Sequence, residues 1–175
     1  MTVRPGAVVR PLDQPGDLGW VLMAHGEVYT TEFGWSPTFE ALVARIVADY
    51  AAGHDPSREA GWIAEVEGVR VGCILCVAED EETAKLRALL VHPQGRGLGL
   101  GATLVDGCIE FARQAGYRRM RLWTTDPLVA ARHLYVTRGF SLVREVPHHD
   151  FGPPMLGQTY ELDLRHAPSA AASGS

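Results

Sequence analysis

The stretch "LLVHPQGRGLGLGATL", residues 89–104, places Gly97, Gly99 and Gly101 on alternate positions shortly after an apolar run. Glycine weakens strands and helices alike, so Gly97, Gly99 and Gly101 at a predicted strand-to-helix junction indicate that something approaches the backbone closely. Backbone N–H groups at the start of a helix, together with the charge of Arg96, suit a phosphate. The stretch therefore predicts a phosphate-binding loop.

The residues around the glycines separate three known designs of phosphate loop. A P-loop needs Lys and Ser/Thr after its glycines, and here Ala102 and Thr103 follow. A dinucleotide fingerprint, G-x-G-x-x-A, can be drawn over 97–102 with Asp126 as the ribose-binding acid, but that fold turns more tightly at the strand end than this sequence does. The third design, Arg-x-x-Gly-x-Gly, is present over 96–101.

Length and composition favour one globular domain, expected over 1–165, with a disordered tail over 166–175. The chain has 175 residues, 46% of them hydrophobic, and a net charge of −5. This acidic balance disfavours a nucleic-acid partner or a polybasic membrane surface. Because the sequence shows neither a membrane-spanning apolar run nor the apolar core of a signal peptide, a cytoplasmic location is expected.

Three cysteines, Cys73, Cys76 and Cys108, are an odd number, which suits a reducing compartment. Cys73 and Cys76 form a CxxC, but they lie in a predicted strand, so their side chains should point to opposite faces. Neither a metal nor a redox role is expected of them.

Hydrophobic periodicity predicts two helices, a β-hairpin, a third strand, a helix, a fourth strand, a short helix and two final strands. The predicted elements are helices over 18–29 and 37–53, a hairpin turning at Glu67 and Gly68, a strand over 83–91, a helix ended by Gly116, a strand over 118–125, a helical stretch over 130–140, and strands over 141–147 and 158–164. The opening 17 residues are predicted as extended chain with turns. The order indicates an α/β layered domain with a mixed sheet.

Two separated motifs resemble the GNAT N-acetyltransferase superfamily. The glycine stretch is similar to the family's pyrophosphate loop, and "AARHLYVTRGF", residues 130–140, is similar to its Ala-x-x-Leu-Tyr-x-x-x-Gly-Phe segment one strand later. The resemblance extends from about Trp62 to Leu164 and implies a mixed, mostly antiparallel central sheet with helices on both faces. The segments at 32–35 and 122–126 look closest to the acetyltransferase half of bacterial MarR fusions, although no MarR-type domain is expected here.

The resemblance implies acetyl-CoA as the co-substrate and no metal. In this family the strand before the loop splays from its neighbour and offers backbone amides to the thioester and pantetheine, here those of Leu89, Leu90 and Val91. The pyrophosphate would lie on the backbone of Arg96, Gly97, Leu98, Gly99, Leu100, Gly101 and Ala102.

Tyr135 matches the family's tyrosine that protonates the departing coenzyme thiolate. A phenol with a pKa near 10 is neutral at pH 7 and can donate a proton to a thiolate. Leu128 stands where many members have an Asn that binds the coenzyme, so that contact is absent or moves to 124–126. Cys108, inside a predicted helix, is not expected to be a nucleophile.

The sequence indicates the general base less clearly than the general acid. Some members carry a carboxylate where this chain has Lys85, and a charged lysine cannot accept a proton. Glu32 is the main candidate, with His148 as a minor one. Aromatic neighbours would give Glu32 a wall suited to a cation or an apolar acceptor, formed by Tyr29, Phe33 and Trp35.

These patterns predict an acetyl-CoA-dependent N-acetyltransferase in which a primary amine of a small molecule or peptide attacks the thioester directly. The alternative is a non-catalytic acyl-CoA-binding sensor. The acceptor stays open between an amino acid, a polyamine, an antibiotic amine and a protein lysine, and a homodimer is compatible with the sequence.

Overall fold

The computed structural model describes residues 6–166, so all of the predicted tail except His166 lies outside the described residues. The strands are β1 (Ala7–Pro11), β2 (Ala60–Val66), β3 (Val69–Ala78), β4 (Thr83–Val91), β5 (Arg119–Thr125), β6 (Ser141–His148) and β7 (Met155–Asp163). The helices are α1 (Asp17–Phe33), α2 (Pro37–Gly53), α3 (Leu100–Gln114) and α4 (Val129–Thr137), with a 3-10 turn at Pro93–Gly95.

The seven strands form one sheet in the order β1-β2-β3-β4-β5-β7-β6. Every neighbouring pair is antiparallel except β4 and β5, which are joined by the crossover helix α3 and run parallel. The predicted α/β fold with a mixed, mostly antiparallel sheet is confirmed. Strand β1 was not predicted, because five residues of mixed pattern become a strand only by pairing with β2, from Ala7 beside Val66 to Pro11 beside Trp62.

The core has two layers, one on each face of the sheet. Helices α1 and α2 cover one face, and α3 with α4 covers the other. Cys73 packs in the first layer and Cys76 in the second, so the prediction of opposite faces is confirmed. Both are fully buried free thiols, as is Cys108.

Local signals predicted the hairpin turn and the bounds of α2 correctly, but α1 continues to Phe33 beyond its predicted end at 29 and β7 begins at Met155 and not at 158. Glu67 and Gly68 both have positive φ, 51° and 78°, which gives the strands of the hairpin the twist of a primed turn. Helix α2 spans Pro37–Gly53 as predicted, but the hydroxyl of Ser36 bonds to that of Thr38 at 2.6 Å and does not cap a backbone amide.

A bulge interrupts β4 shortly before its end. The pairing with β3 steps two residues from Cys73 to Leu75, but three residues along β4 from Leu90 to Arg87. The extra residue is absorbed at Ala88, whose φ is 52°. Alanine is strained in this left-handed region, so the surrounding structure must hold the bulge in place.

A buried carboxylate ties β1, β3 and the start of α1 together. Asp17 is fully buried and accepts hydrogen bonds from Arg10 at 2.8 and 3.0 Å, from Arg70 at 2.8 Å and from the backbone N–H of Gln14 at 2.9 Å. Burial alone would raise the pKa of Asp17, but the hydrogen bonds from Arg10, Gln14 and Arg70 hold it well below its ordinary value.

We expect Asp17→Asn to destabilise the fold by about 3–5 kcal/mol, because it leaves two arginines without their shared partner. Urea unfolding would measure the change. Asp163→Asn is the matched control, since it removes an exposed carboxylate paired with Arg165 and should cost no more than about 1 kcal/mol. Equal losses in the two variants would contradict the central role of Asp17.

The lowered pKa of Asp17 also gives a pH dependence. Its contribution is fully present above the unfolded pKa of about 4 and is lost as the pH falls below that value. The Asp17→Asn variant should therefore lose less stability than the parent between neutral pH and the acid range.

The positive φ of Ala88 leads to a second prediction about stability. Ala88→Val places a β-branched side chain at positive φ and should cost at least about 1–2 kcal/mol, whereas Ala88→Gly should stay within about 1 kcal/mol of the parent. The control is Ala78→Val at the exposed end of β3, where the backbone is extended and the effect should be small. If all three variants unfold at the same urea concentration, Ala88 is not strained.

Candidate active site

Strands β4 and β5 separate soon after they meet. They pair only between Thr83–Lys85 and Arg119–Arg121, although β4 continues to Val91 and β5 to Thr125. The splay that the family resemblance implied is therefore present. It opens a wedge through the sheet, just where the bulge at Ala88 turns the end of β4.

Three adjoining cavities follow this wedge. The donor-side groove, about 320 Å³, lies between α1, the end of β4 and the start of α4. The middle cavity, about 90 Å³, shares Tyr29, Leu89 and Leu128 with that groove. The open cleft, about 1090 Å³, shares Arg87 and Trp123 with the middle cavity. Because each cavity shares lining residues with the next, the three form a path of neighbouring cavities across the wedge.

The glycine loop lies next to the donor-side groove and presents unpaired amides. Within the described part of the chain, the backbone N–H groups of residues 97–102 donate no hydrogen bond. Gly97 and Gly99 have φ of 75° and 76°, and Gly99 precedes α3 without any side-chain cap. Six consecutive free donors at the start of a helix can surround a pyrophosphate.

Gly101 serves a different purpose from the other two glycines. A Cβ at this position would lie 3.0 Å from Cδ1 of Leu134 in α4, and its φ is not in the left-handed region. Its missing side chain lets α3 and α4 approach closely, so a bulky substitution there would disturb packing as well as the loop.

Arg96 is held by Glu32 across the donor-side groove. Their charged atoms lie 2.7 Å apart, and the Arg96 Nε–H also donates to the carbonyl of Val91 at 3.3 Å. Both side chains line the groove and neither lines the middle cavity. The structure thus brings the predicted base to the predicted phosphate contact.

Tyr135 lines the middle cavity from α4. It is buried against Phe140 and Tyr160, and its hydroxyl makes no hydrogen bond to another described residue. Burial raises the pKa of Tyr135 well above that of a free phenol. The hydroxyl is therefore protonated at physiological pH and free to donate.

His25 also lines the middle cavity and was missed by sequence reasoning. Its Nδ1 lies 2.7 Å from the carbonyl of Val21, and its ring stacks on Tyr29 at 5.7 Å. Burial lowers the pKa of His25 to about 4, so the imidazole is neutral at pH 7. The four-residue spacing from Tyr29 on one helix was the only signal that could have found it.

The other predicted residues are spread around this path. Lys85 lines the open cleft beside Arg87. His148 packs on Trp123 with ring centroids 5.4 Å apart, and its Nδ1 lies 3.4 Å from the carboxylate of Asp150. The carboxylate of Asp126, a suggested substitute coenzyme contact, is engaged instead by the backbone N–H of Leu156 at 2.7 Å.

The predicted aromatic wall exists but is mostly core. Trp35 is buried and packs on Tyr29 and Phe151, with ring centroids 5.0 Å apart in both pairs. Phe33 lines the donor-side groove with Tyr29. This cluster shapes the boundary between the groove and the middle cavity.

Two structural features are absent from residues 6–166. No described helix is long and apolar enough to cross a membrane. No three or more His, Cys, Asp or Glu side chains among these residues are grouped so that they could hold a metal ion.

Solved structures share this fold. A putative acetyltransferase from Salmonella typhimurium, solved with its cofactor acetyl-CoA, has a TM-score of 0.73 and 22% identity, covering 95% of this chain and 99% of that one. A ribosomal-protein-alanine N-acetyltransferase from Brucella melitensis has a TM-score of 0.71 and 18% identity, covering 89% and 99%.

Sequence relatives agree with the structural ones. An uncharacterized N-acetyltransferase of Schizosaccharomyces pombe is 30% identical over 123 residues, which cover 69% of this chain and 75% of that protein. The N-acetylaspartate synthetase of Xenopus tropicalis is 35% identical over 89 residues, 50% of this chain but only 33% of the synthetase.

The family model described as the acetyltransferase (GNAT) family matches residues 23–140, more than half of the chain. The match includes both motifs that carried the resemblance, the glycine loop and the segment around Tyr135. The predictions of the superfamily and of an N-acetyltransferase are confirmed at this level. The chain belongs to the acetyltransferase (GNAT) family.

Proposed function

We propose that the chain transfers the acetyl group of acetyl-CoA to a primary amine by direct attack in the middle cavity. The observation that carries this proposal is the path of three adjoining cavities, with free loop amides at one end and Tyr135 in the middle. The path lets a donor and an acceptor enter from opposite sides and meet.

The donor side fits the coenzyme. Free amides of 97–102 and the positive end of α3 offer six donors to the pyrophosphate, and Arg96 adds a full charge. The apolar groove along Leu89–Val91 suits the pantetheine arm, which would bring the thioester to the middle cavity.

The middle cavity suits acyl transfer to a neutral amine. The nitrogen attacks the thioester carbonyl, the C–N bond forms and the C–S bond breaks as the tetrahedral intermediate collapses. The amine releases one proton to solvent, Tyr135 gives one to the leaving thiolate, and Tyr135 takes one back from solvent. Glu32 as the base stays a prediction, and its position beside Arg96 favours a role in coenzyme binding.

Several finer predictions stay predictions. They are the single domain over 1–165, the cytoplasmic location, the homodimer and the kinship with MarR fusions. A homodimer would find an exposed apolar edge on β6, where Leu142, Val143 and Val146 are exposed.

Arg96→Ala should weaken acetyl-CoA binding by about 1.5–3 kcal/mol, the range for hydrogen bonds to charged groups. Isothermal calorimetry would measure the Kd. S-acetyl-pantetheine, which lacks the pyrophosphate, is the control ligand and should bind parent and variant alike. Equal weakening of both ligands would show that Arg96 does not contact the phosphates.

Glu32→Gln separates two roles for the carboxylate. Because Glu32 holds Arg96 and repels phosphate, the variant should bind acetyl-CoA more tightly while kcat stays within a few-fold of the parent. A kcat that falls about a hundredfold with an unchanged Kd would instead identify Glu32 as the general base.

Tyr135→Phe should lower kcat about a hundredfold or more while the Kd for acetyl-CoA barely changes, because the ring stays and only the proton donor is lost. The matched control is Tyr160→Phe, which removes a hydroxyl from a buried neighbouring tyrosine that lines none of the three cavities. Since the pKa of Tyr135 is raised, kcat should show no loss from its ionisation below about pH 10.

Two outcomes would overturn this assignment. A Tyr135→Phe variant with parental kcat would remove the residue from the mechanism. A parent chain that binds acetyl-CoA but acetylates no amine would favour the acyl-CoA sensor.

A further inference from the structure

The open cleft is positively charged although the chain as a whole is acidic. Its walls carry five cationic side chains and three carboxylates, whereas the chain has a net charge of −5. The cations are Arg45, Lys85, Arg87, Arg121 and Arg144, and the carboxylates are Glu79, Asp150 and Glu161. A local excess of this sign in an acidic protein needs its own explanation.

The carboxylates of the cleft are already engaged or exposed. Arg121 binds both Glu79, at 3.1 Å, and Glu161, at 3.0 Å. Asp150 is largely exposed, and its partner is His148. Among residues 6–166, no carboxylate lies within ion-pair distance of the other four cations, Arg45, Lys85, Arg87 and Arg144.

Two of these unpaired cations are partly buried next to each other. Lys85 and Arg87 lie two positions apart on β4, so both project from the face that α2 covers. Burial lowers the pKa of both groups, and the Arg87 charge lowers the pKa of Lys85 further. Two like charges partly removed from water are unfavourable. Glu79 attracts both groups and Asp49 attracts Arg87, but neither carboxylate lies within ion-pair distance of them, so a bound anion would relieve the remaining penalty.

The cations are placed to hold a molecule that reaches the reacting centre. Arg87 lines both the open cleft and the middle cavity. Thr125 lines the middle cavity as well, and its buried hydroxyl has no hydrogen-bond partner among the described residues. A ligand anchored at Lys85 and Arg87 could therefore place a polar group beside Thr125 and Tyr135.

We propose that the acetyl acceptor is an amine that carries carboxylates, held in the open cleft by Lys85, Arg87 and Arg45. An amino acid with an acidic side chain is the smallest such molecule. The inference rests on the proposed function and names its acceptor class. Polyamines and other cationic amines would be repelled by the same side chains.

The acyl-transfer step is the same with such an acceptor. The neutral α-amine forms the C–N bond, the C–S bond breaks, one amine proton goes to solvent, and the thiolate takes a proton from Tyr135, which regains one from solvent. The acceptor's carboxylates stay ionised throughout and serve only to bind and orient.

The test is a matched panel of acceptors with saturating acetyl-CoA, recording free thiol. L-Aspartate and L-glutamate are compared with L-asparagine and L-glutamine, which differ by one charge, and with lysine and spermidine. We expect kcat/KM for the acids to exceed that for their amides by about ten- to a hundredfold, the range for a hydrogen bond between charged groups.

Substitutions of the cleft cations test where the acidic acceptor binds. Arg87→Met and Lys85→Met should each raise the KM for the acidic acceptor by about tenfold or more while leaving the Kd for acetyl-CoA unchanged. Arg118→Gln is the control, since Arg118 is exposed, pairs with Glu82 and lies outside the cleft; it should change neither constant.

Three results would overturn the proposal: equal use of acids and amides, turnover of cationic amines alone, or a rise in the acetyl-CoA Kd of the Arg87 and Lys85 variants that matches the rise in KM. Failure of the proposed function itself would give a different experimental result. A parent chain that does not bind acetyl-CoA in calorimetry refutes the function itself, whereas one that binds it and acetylates only neutral or cationic amines refutes the acceptor class alone.

Discussion

The separation of two parallel strands is the constraint on which the rest of this structure depends. Strands β4 and β5 pair over three residues and then diverge, so backbone groups that a sheet would normally satisfy are left available for other partners. The bulge at Ala88 reinforces the separation, because it turns the end of β4 at the cost of a strained φ. Without that wedge the donor-side groove and the open cleft would be closed off from one another by a continuous sheet.

Charged and uncharged side chains occupy different parts of the wedge. Cationic groups stand at both ends, Arg96 in the donor-side groove and Arg87 at the border between the open cleft and the middle cavity. The titratable groups Tyr135 and His25 in the middle cavity are both kept uncharged by burial, which raises the pKa of the phenol and lowers that of the imidazole. A neutral amine and a thioester suit such a centre, since neither brings a charge that burial would penalise.

The glycine loop shows how one motif can serve two purposes. Gly97 and Gly99 allow the left-handed turns that free the amides at the start of α3. Gly101 lets α3 approach Leu134, which lies on the same helix as Tyr135. The loop proposed to hold the coenzyme is thus also packed against the helix that carries the proposed acid.

The sequence by itself determined the order of elements from α1 onward, the hairpin at Glu67 and Gly68, the glycine loop and the family, because these depend on local propensity and on motifs with fixed spacing. It predicted Arg96 and Tyr135 as site residues for the same reason. Only the tertiary structure decided that Glu32 meets Arg96, that His25 joins the middle cavity and that Lys85 and Arg87 have no ion-pair partner among residues 6–166. Those relations join residues that are distant in the chain, and they arise only when α1 and α2 pack over the splayed strands, which no local pattern encodes.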